Sequence, residues 1–574
     1  MRIGIDFPQP EGGRLRLAFA RPAAVLEARR LEDVAAVIAA AHAQAKAGRW
    51  VAGFVAYEAA PAFDTASSVM PPAGALPLAA FAAYDAPADA GADAGADFCC
   101  GTWQMATPRP RIEENIESIR RGIAAGDWYQ VNYTTRLRAD FRGSGDALFE
   151  SLRAAQPGGY CAHLDGGAWQ IASVSPELFF DWRPDGTLTT RPMKGTAARG
   201  AGEQADAQAA QALRASEKER AENLMIVDLL RNDMARVAVT GCVSVPALFS
   251  LEALPSAWQM TSTVQCRTRP GIGLADVFAA LFPCGSVTGA PKIAAMRAIA
   301  QLEDAPRGAY CGAIGLLRPG GQATFSVAIR TVALDMLRGE AECGVGSGIV
   351  LDSTPAGEYA EWLVKRRFLL RATADFELIE TLRLEAGGYW LRQRHRDRLR
   401  ASAAHFGFAC DEPRIDAALD ELAAAHPQGA WRVRLLLDRG GAARCEAFAL
   451  EASPPAMRYA LAADPIDSGD EFLAYKTTRR EVYARRAPPP GCDDTLLWNE
   501  RGELTEFTRG NVVVELDGRR LTPPLGCGLL AGVLRAELLA RGEIAEGMVR
   551  VDDLRRATGV WFINSVRGML PAAA

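Results

Sequence analysis

The hydrophobic positions of this chain switch repeatedly between the spacing of a helix and that of a strand. Ile112, Ile116, Ile119 and Ile123 recur every three or four residues and predict a helix over 111–126. The same pattern predicts helices at 31–47, about 200–236, 293–299 and about 356–372. Strands are predicted at 50–57, 129–137, 169–174, 187–191, 309–317, 323–334 and 341–350. The mixture indicates an α/β (α+β) fold.

The pattern changes near residue 373, where a second unit begins. Apolar and polar residues alternate over 376–391 on either side of Gly387 and Gly388, which predicts a β-hairpin. We therefore predict two domains, 1–372 and 375–574, joined with almost no linker. The first has an N-terminal subregion at 1–100 and a core at 110–370. An acidic stretch rich in alanine and glycine at 85–97 predicts a surface loop.

Composition narrows the class of protein. A chain of 574 residues exceeds one hydrophobic core, and its net charge of −5 argues against nucleic-acid binding. No apolar run is long enough to cross a bilayer, and the N-terminus lacks the layout of a signal peptide. The 12 cysteines form no CxxC pairs, which is typical of reduced thiols. We expect a cytoplasmic enzyme.

One lysine lies on a short turn that could carry chemistry. Lys194 follows the predicted strand at 187–191 and precedes a Gly-Thr bend, so its amine could act as a nucleophile or as a charge partner. Glu177, 17 positions upstream in a Ser-Pro-Glu sequence, offers a carboxylic acid. A solvated surface charge is the competing interpretation of Lys194.

Glutamates at helical spacing form a candidate metal site. Glu222 lies beside an apolar helix face, and Glu358 and Glu361 are three residues apart on another predicted helix. Three carboxylates from two helices could bind Mg²⁺, which prefers oxygen ligands. Solvated helix glutamates are the competing interpretation.

Two further segments suggest anion binding. A glycine-rich loop, Phe282-Pro-Cys-Gly-Ser-Val-Thr-Gly-Ala-Pro-Lys292, leads into a predicted helix, whose free N–H groups favour a phosphate or a carboxylate. Arg330 lies in a strand-like run, where an arginine is unusual unless it meets a carboxylate. A capped turn and a structural ion pair are the respective alternatives.

Taken together, five motifs resemble those of the chorismate-utilising enzymes. They are Gly126-Asp-Trp-Tyr-Gln-Val-Asn132, Ser175-Pro-Glu177, Ala221-Glu-Asn-Leu-Met-Ile-Val-Asp-Leu-Leu-Arg-Asn-Asp233, Gly285-Ser-Val-Thr-Gly-Ala-Pro-Lys292 and Gly348-Ile-Val350. The resemblance covers about 110–370 strongly and the first hundred residues weakly. It implies a large α/β sandwich with chorismate between two subdomains.

The resemblance also implies roles for individual residues. Glu222, Glu358 and Glu361 would hold Mg²⁺, and Glu177 would be the general acid. The implied chorismate-binding positions are Gln130, Thr288, Gly289, Tyr310, Arg330 and Gly346. Gln130 stands where isochorismate-forming members have a lysine base, which disfavours that branch. Lys194 marks the aminodeoxychorismate branch, in which it would act covalently or by charge alone.

Two departures concern the first unit. Gln259 takes the place of a histidine found in many members, which affects how the reacting ring is contacted. The sequence shows no Cys-His-Glu glutaminase module, so ammonia would come from a separate glutamine amidotransferase subunit.

The second unit resembles the fold-type IV pyridoxal-phosphate enzymes, a group that includes branched-chain aminotransferases and aminodeoxychorismate lyases. The segments that carry the resemblance are Glu380-Thr381, Arg394-His-Arg-Asp-Arg398, Tyr475-Lys476, Glu503-Leu-Thr-Glu506, Leu530-Ala-Gly532 and Phe562-Ile-Asn-Ser565. The resemblance implies that Lys476 forms the Schiff base with pyridoxal 5′-phosphate. Glu506 would pair with the pyridine nitrogen, and the phosphate would be bound by Arg398, Gly532, Val533, Asn564 and Ser565.

This second resemblance has departures of its own. The strand that usually precedes the first segment is missing, and Leu534 stands where a threonine often reaches the phosphate. A homodimer through this unit is a further expectation.

The two resemblances together predict a bifunctional enzyme. The first unit would aminate chorismate at C4, and the second would remove pyruvate to give 4-aminobenzoate for folate synthesis. The alternatives are an anthranilate-type synthase joined to a class IV aminotransferase, and a chain in which one unit only binds a ligand or serves as a scaffold.

Overall fold

A computed structural model of the protein describes residues 1–9, 12–88, 97–198, 203–253 and 257–574. The chain divides into two units, Met1–Thr373 and Ala374–Ala574, and each is described by itself. Of the loop predicted at 85–97, residues 89–96 lie outside the described part. In that part, no helix is long and apolar enough to cross a membrane.

The strands of the first unit follow in chain order. They are β1 Arg2–Pro8, β2 Arg14–Phe19, β3 Ala24–Ala28, β4 Trp50–Val55, β5 Ala79–Tyr84, β6 Phe98–Cys100, β7 Gln104–Met105, β8 Gln130–Gly143, β9 Tyr160–Asp165, β10 Trp169–Ser175, β11 Leu178–Trp182, β12 Thr187–Arg191, β13 Met193–Ala198, β14 Ser244–Ala253, β15 Ala257–Arg267, β16 Gly289–Ala290, β17 Ala313–Leu317, β18 Ala323–Val327, β19 Thr331–Asp335 and β20 Glu340–Ile349.

The helices of the first unit lie between these strands. They are α1 Leu31–Lys46, α2 Arg109–Ala125, α3 Gly145–Ala155, α4 Glu203–Ala215, α5 Glu217–Ala235, α6 Leu274–Leu281, α7 Lys292–Leu302, α8 Pro355–Lys365 and α9 Arg367–Thr373. Helix α2 ends at Gly126 in a left-handed conformation, as its sequence predicts.

Two sheets form the centre of the first unit. The first has the order β16-β8-β20-β19-β10-β9-β1-β2, and the second has the order β13-β15-β12-β11-β18-β17-β4-β5-β3. Their facing sides share one apolar cluster, in which Phe54 of the second sheet meets Trp169 of the first edge to face at 5.3 Å. The helices cover the outer faces. Ile226 and Phe278 pack on the second sheet, and Ile112 and Trp362 pack on the first.

This arrangement is an α/β sandwich, and it confirms the fold class predicted for the first unit. It covers central strands on both faces, so every residue of β5 and β10 is buried.

Some predicted elements are wrong in detail. The helix predicted at about 200–236 is two helices, because Ser216 caps the second by accepting a hydrogen bond from the Glu219 N–H. The strand predicted at 323–334 is also two, β18 and β19, and these belong to different sheets. The strand predicted at 309–317 begins only at Ala313.

The second unit has strands and helices of its own. Its strands are β21 Leu378–Glu385, β22 Gly388–Tyr389, β23 Ala430–Leu437, β24 Ala443–Ala449, β25 Met457–Leu461, β26 Asp494–Trp498, β27 Leu504–Phe507, β28 Gly510–Leu516, β29 Arg519–Thr522, β30 Ala545–Glu546, β31 Gly559–Asn564 and β32 Gly568–Ala573. Its helices are α10 Arg392–Phe406, α11 Glu412–Ala425, α12 Glu471–Ala474, α13 Glu481–Ala484 and α14 Val533–Ala540.

Two sheets organise the second unit. A small sheet has the order β22-β21-β23-β24, and a larger one has the order β27-β26-β25-β32-β31-β28-β29-β30. The hairpin predicted at 376–391 is confirmed, since β21 and β22 pair antiparallel. Helices α10 and α11 contribute Leu399, Phe406 and Leu419 to the core under the small sheet.

Candidate active sites

The first candidate site lies where the chain of the first unit passes from one sheet to the other. Glu177 lies in the link from β10 to β11, and Arg330 lies in the link from β18 back to β19. The two links are tied together, because Ser175 Oγ donates to the Val327 carbonyl at 2.5 Å and the Val327 N–H donates to the Glu177 carbonyl at 3.1 Å. The sandwich therefore places an acid and a guanidinium at its seam.

Lys194 lies at this seam on an irregular strand. Met193 pairs with Thr261 and Thr196 pairs with Gln259, so two residues of β13 stand opposite one residue of β15. This is a β-bulge, which re-aims the side chains that it contains. A methyl group on Gly348 would lie 2.0 Å from Gln130 Nε2 and 3.0 Å from Lys194 Nζ. Gly348 thus leaves the space in which the amide and the amine converge.

Glu177 is an unusually weak acid for a glutamate. Burial raises the pKa of Glu177 to about 7, although a hydrogen bond from Ser286 and the charges of Lys194 and Lys365 act to lower it. Its Oε1 atom is buried and has no hydrogen-bond partner in the described part of the chain. Such a carboxyl can hold a proton near neutral pH and present it to a bound molecule.

Arg330 lacks the structural ion pair that was the alternative explanation for it. Its backbone adopts φ +50° in the link, and within the described ranges no carboxylate pairs with its half-buried guanidinium. Burial, with Arg371 nearby, lowers the pKa of Arg330 to about 10. A desolvated guanidinium without a carboxylate favours an anionic ligand. Tyr310 is also buried, with its ring against the backbone of Gly344.

The glycine-rich loop is closed by a hydrogen bond of its own and pairs with β8. Thr288 Oγ1 donates to the carbonyl of Cys284 at 3.1 Å, so its hydroxyl proton is used within the turn. Gly289 pairs with Val131 at φ +140°, where a side chain would meet the Gln130 carbonyl. The loop ends in α7, as predicted from the sequence.

Arg307 holds this loop through its backbone carbonyls. It is buried and donates to the carbonyls of Val287 at 2.6 Å and Asn132 at 2.7 Å. Its remaining donors bond Glu303 at 2.6 and 3.1 Å. Arg307 therefore supports the loop through a paired charge.

The predicted magnesium triad is not assembled. Both oxygens of Glu358 accept hydrogen bonds from serines, one from Ser347 and one from Ser353 at 2.6 Å. Glu361 pairs with Lys365 at 2.7 Å. Across the described ranges, no three His, Cys, Asp or Glu side chains are grouped so as to hold a metal ion. These carboxylates do not fit a three-glutamate site, because Glu358 satisfies its oxygens with neutral hydroxyls instead.

Glu222 and Glu361 nevertheless influence each other. Burial raises the pKa of Glu222, and the charge of Glu361 adds to that rise while Lys194 opposes it. Burial acts to raise the pKa of Glu361 too, but Lys365 outweighs it and leaves the pKa lowered. The two carboxylates and two lysines therefore form one electrostatic group at the edge of the site.

Sequence reasoning missed two side chains of this site. Ser286 bonds Glu177 from inside the glycine-rich motif, and Lys365 donates to the Gly346 carbonyl at 2.9 Å. Helical spacing offered a signal for Lys365, which lies four residues after Glu361. Ser286 gave no signal of its own, because its contact joins two distant segments.

The second candidate site is a cavity of about 460 Å³ in the second unit. Lys476, Arg398 and Glu506 line it together with Gly532, Val533, Asn564 and Ser565, so the predicted group is brought to one cavity. Burial lowers the pKa of Lys476 to about 7, and the charges of Arg398 and Arg480 lower it further against Glu380 and Glu506. At neutral pH much of this amine is unprotonated and nucleophilic.

Glu506 is held by two neighbours. Tyr483 Oη donates to Glu506 Oε1 at 2.7 Å, and Asn511 Nδ2 donates to Oε2 at 3.2 Å. Burial raises the pKa of Glu506 to about 7, whereas the Tyr483 hydrogen bond lowers it. The carboxylate is thus fixed in position and ready to receive a cationic partner. The sequence reasoning missed both Tyr483 and Asn511.

Arg398 already has a partner. It binds both oxygens of Glu380, at 2.6 and 2.8 Å, and donates to the Ala531 carbonyl at 3.1 Å. His395 Nδ1 lies 2.6 Å from the same carboxylate. Burial opposes ionisation of Glu380, but Arg398 and His395 lower its pKa to about 2. A guanidinium has five N–H donors, so Arg398 keeps two for a ligand.

A helix N-terminus lies beside Arg398. Helix α14 begins after Gly532 without a side-chain cap, which leaves the first backbone N–H groups free for an anion. A side chain at Gly532 would collide with Asn511 Oδ1. The Asn564 side chain bonds the Arg509 carbonyl and the N–H groups of its own turn, so it shapes this wall of the cavity.

Arginines line the rest of the cavity. Arg432, Arg480 and Arg567 have no carboxylate partner within the described part of the chain, whereas Arg434 pairs with Glu446. Sequence reasoning missed these arginines, because they come from three separate segments. The cavity beyond Lys476 is therefore strongly positive.

Comparisons with known proteins agree with the two units. The profile of the chorismate binding enzyme family matches residues 91–371, and that of the amino-transferase class IV family matches residues 377–574. Aminodeoxychorismate synthase component 1 of Salmonella typhimurium is 42% identical over 259 residues, which are 45% of this chain and 56% of that relative. The chain thus spans little more than half the length of this relative.

Solved structures match each unit. Anthranilate synthase component I from Streptococcus pneumoniae superposes with a TM-score of 0.51 at 27% identity, covering 64% of this chain and 89% of that one. A protein of Mesorhizobium loti, provisionally named an amino-acid aminotransferase, is 41% identical over 35% of this chain and 99% of its own, with a TM-score of 0.33. The two family profiles confirm both resemblances: residues 91–371 form a domain of the chorismate binding enzyme family, and residues 377–574 form a domain of the amino-transferase class IV family.

Proposed function

We propose that the first unit, 1–372, aminates chorismate at C4 and that the second, 375–574, removes pyruvate from the product to give 4-aminobenzoate. The observation that carries the first half is the convergence of Lys194 and Gln130 at Gly348, in a site where Lys194 also acts electrostatically on Glu177. A nucleophile, a neutral amide and an acid are the groups that such an amination needs.

The chemistry assigns one role to each group. The Lys194 amine adds at C2 of chorismate while the C4 hydroxyl leaves as water, taking its proton from the Glu177 carboxyl. Ammonia then adds at C4, and Lys194 departs from C2. The net change is chorismate plus ammonia to aminodeoxychorismate plus water. Burial supports the role of Glu177, because a hydroxyl leaves readily only when it is protonated.

The substrate carboxylates have candidate partners. Arg330 offers a guanidinium that no carboxylate of the described chain pairs with. Tyr310 lies in the link that precedes β17. The backbone at Thr288 and Gly289, at the end of the glycine-rich loop, and at Gly346 on β20 is a further candidate. Magnesium remains a prediction from the sequence only: Glu222, Glu358 and Glu361 are not grouped as a metal site in the described ranges, and no step is derived through the metal.

The residues of the second cavity fit pyridoxal 5′-phosphate. Lys476 has a lowered pKa, Glu506 is a fixed buried carboxylate, and an uncapped helix begins at Gly532 beside Arg398. When bound, this cofactor supplies an electron sink for a carbanion. With the cofactor bound, Lys476 would move the proton at C4 as the enolpyruvyl group leaves, and Glu506 would hold the ring nitrogen.

The arginines that line the second cavity support a lyase activity over a branched-chain aminotransferase activity. A branched-chain amino acid presents an apolar side chain, which gains nothing from Arg432, Arg480 and Arg567. Aminodeoxychorismate presents two carboxylates, which suit unpaired guanidinium groups. Covalent connection adds to this, since the product of the first unit is then the substrate of the second.

The proposal includes partners and a compartment. Ammonia would come from a separate glutamine amidotransferase subunit, the second unit would form a homodimer, and the enzyme would act in the cytoplasm. A matched test is turnover with glutamine against turnover with an ammonium salt. Purified chain that uses ammonium and not glutamine supports the separate subunit, and use of glutamine alone contradicts it.

Product identification tests the function. The protein is incubated with chorismate, ammonium and Mg²⁺, with and without a chelator, and aromatic products are separated. 4-Aminobenzoate supports both halves, anthranilate would support the alternative synthase, and no turnover would support a non-catalytic role. We expect Lys194→Ala to lose amination or to shift toward anthranilate, and Lys476→Ala to accumulate aminodeoxychorismate.

A further inference from the structure

Gln259 contacts the two residues that directly follow Lys194, one inside the bulge and one at its end. Its Nε2 atom donates to the Gly195 carbonyl at 2.8 Å, and its Oε1 atom accepts from Thr196 Oγ1 at 3.0 Å. The side chain is 7% exposed, so neither bond competes freely with water. These bonds use the amide donor and the amide acceptor of Gln259 on the segment that includes Lys194.

The bulge decides where the Lys194 amine points. Gly195 lies at φ +92° inside it, a conformation that side chains rarely adopt. Successive residues of a regular strand alternate faces, so a shift of register by one residue would turn Lys194 to the opposite face. With the bulge in place, Lys194 Nζ reaches the space beside Gly348. The direction of the Lys194 amine thus depends on the β-bulge, and contacts that stabilise the bulge also fix the amine.

We infer that Gln259 is a positioning residue, which locks the bulge of β13 and thereby aims the Lys194 amine at the substrate. This inference rests on the proposed amination. Gln259 acts through the Gly195 carbonyl and the Thr196 hydroxyl and has no need to touch the substrate. Among side chains of similar size, only a primary amide supplies both a donor and an acceptor at this reach at every pH.

The same strand offers a matched control. Gln265 also lies on β15, and its Nε2 atom donates to Thr189 Oγ1 at 3.2 Å on β12, away from the bulge. Gln259→Leu and Gln265→Leu each remove one amide from one strand. Only the first of them releases the segment that carries Lys194.

The test measures steady-state amination with ammonium at fixed chorismate concentrations. We expect Gln259→Leu to lower kcat on the order of ten- to a hundredfold, the loss typical of a reacting group displaced by about 1 Å, with KM for chorismate nearly unchanged. Gln265→Leu is expected to match the wild type. Hydrogen exchange of the peptide over 193–197 is expected to quicken in Gln259→Leu alone.

A second variant separates positioning from general stability. In Gln259→Glu, the new carboxyl can donate to the Gly195 carbonyl only when it is protonated, so its kcat relative to the wild type should rise as pH falls. Equal kcat values for Gln259→Leu and Gln265→Leu, or a Gln259→Glu ratio independent of pH, would overturn the inference. A wild type that forms neither aminodeoxychorismate nor 4-aminobenzoate would refute the proposed function itself, and this role with it.

Discussion

Tyr483 donates its hydroxyl proton to the Glu506 carboxylate at 2.7 Å, and both side chains line the cavity of the second unit. This contact turns a buried carboxylate, which burial alone would leave protonated, into one that can stay ionised beside a cation. The bond therefore links the affinity for the cofactor to a tyrosine that does not need to touch the cofactor.

Removal of this hydroxyl should weaken cofactor binding. In Tyr483→Phe the pKa of Glu506 rises further, because the hydrogen bond that lowered it is lost. A hydrogen bond to a charged group contributes about 1.5–3 kcal/mol, so we expect a roughly ten- to hundredfold higher Kd for pyridoxal 5′-phosphate. Titration of the cofactor-free protein, followed by visible absorbance, measures it. Tyr389→Phe is the control, since Tyr389 bonds the Leu419 carbonyl at 2.9 Å outside the cavity.

Capture of the cofactor by Lys476 should depend on pH. The lysine has its pKa lowered to about 7, so its amine is largely neutral above that pH and protonated below it. The rate at which cofactor-free protein develops its visible band should rise through pH 7 and then level off. Arg480→Gln should move the midpoint to higher pH, because the Arg480 charge lowers the pKa of Lys476. A midpoint near pH 10 would contradict the buried amine.

The same amine should make stability depend on pH. The unfolded lysine holds its proton up to its ordinary pKa of 10.5, whereas the folded one releases it near 7. Between these values the unfolded state binds more protons, so the free energy of unfolding contributed by Lys476 rises with pH. Denaturant titrations of cofactor-free wild type and Lys476→Met, compared at two pH values in this window, should show their difference narrowing as pH rises.

The rate of the amination proposed for the first unit should fall at alkaline pH. The Glu177 carboxyl, with its pKa raised to about 7, donates a proton only below that pH. At constant free ammonia, kcat should decline as pH rises through 7, and Glu177→Gln should lose about 10²–10⁴-fold. In Ser286→Ala the declining limb should move to higher pH, because Ser286 lowers the pKa of Glu177. A limb that stays in place would count against Glu177 as the acid.

Arg330 should contribute to chorismate binding. We expect Arg330→Gln to raise KM on the order of ten- to a hundredfold, the loss expected for a charged hydrogen bond worth about 1.5–3 kcal/mol. Arg338→Gln is the control, since Arg338 lies at the surface 3.8 Å from Asp335. Initial rates over a range of chorismate concentrations distinguish the two. Equal KM values would remove Arg330 from the binding site.

The sequence predicts the secondary structure of this chain well wherever one period dominates. Helix α2 and the hairpin of β21 and β22 follow directly from periodicity and glycine placement. The strand predicted at 323–334 does not, because Arg330 breaks it at φ +50° and sends its two halves to different sheets. Local hydrophobicity is the same on both sides of that break, so only tertiary structure reveals it.

The candidate sites divide in the same way. Motifs indicated Lys194, Glu177, Lys476 and Glu506, and the structure brings each pair to one site. Motifs also indicated Glu358 as a metal ligand, yet Ser347 and Ser353 occupy its oxygens. Whether a hydroxyl or a metal ion takes the oxygens of a carboxylate depends on side chains that meet only after folding. Residue spacing along the chain does not predict it.

Because the seam joins the two sheets, it limits when the first site can form during folding. Glu177 and Arg330 lie on the links through which the chain leaves one sheet and re-enters it. Neither sheet alone contains the site, because each link has one end in either sheet. During folding, the acid and the guanidinium can therefore come together only once both sheets are in place.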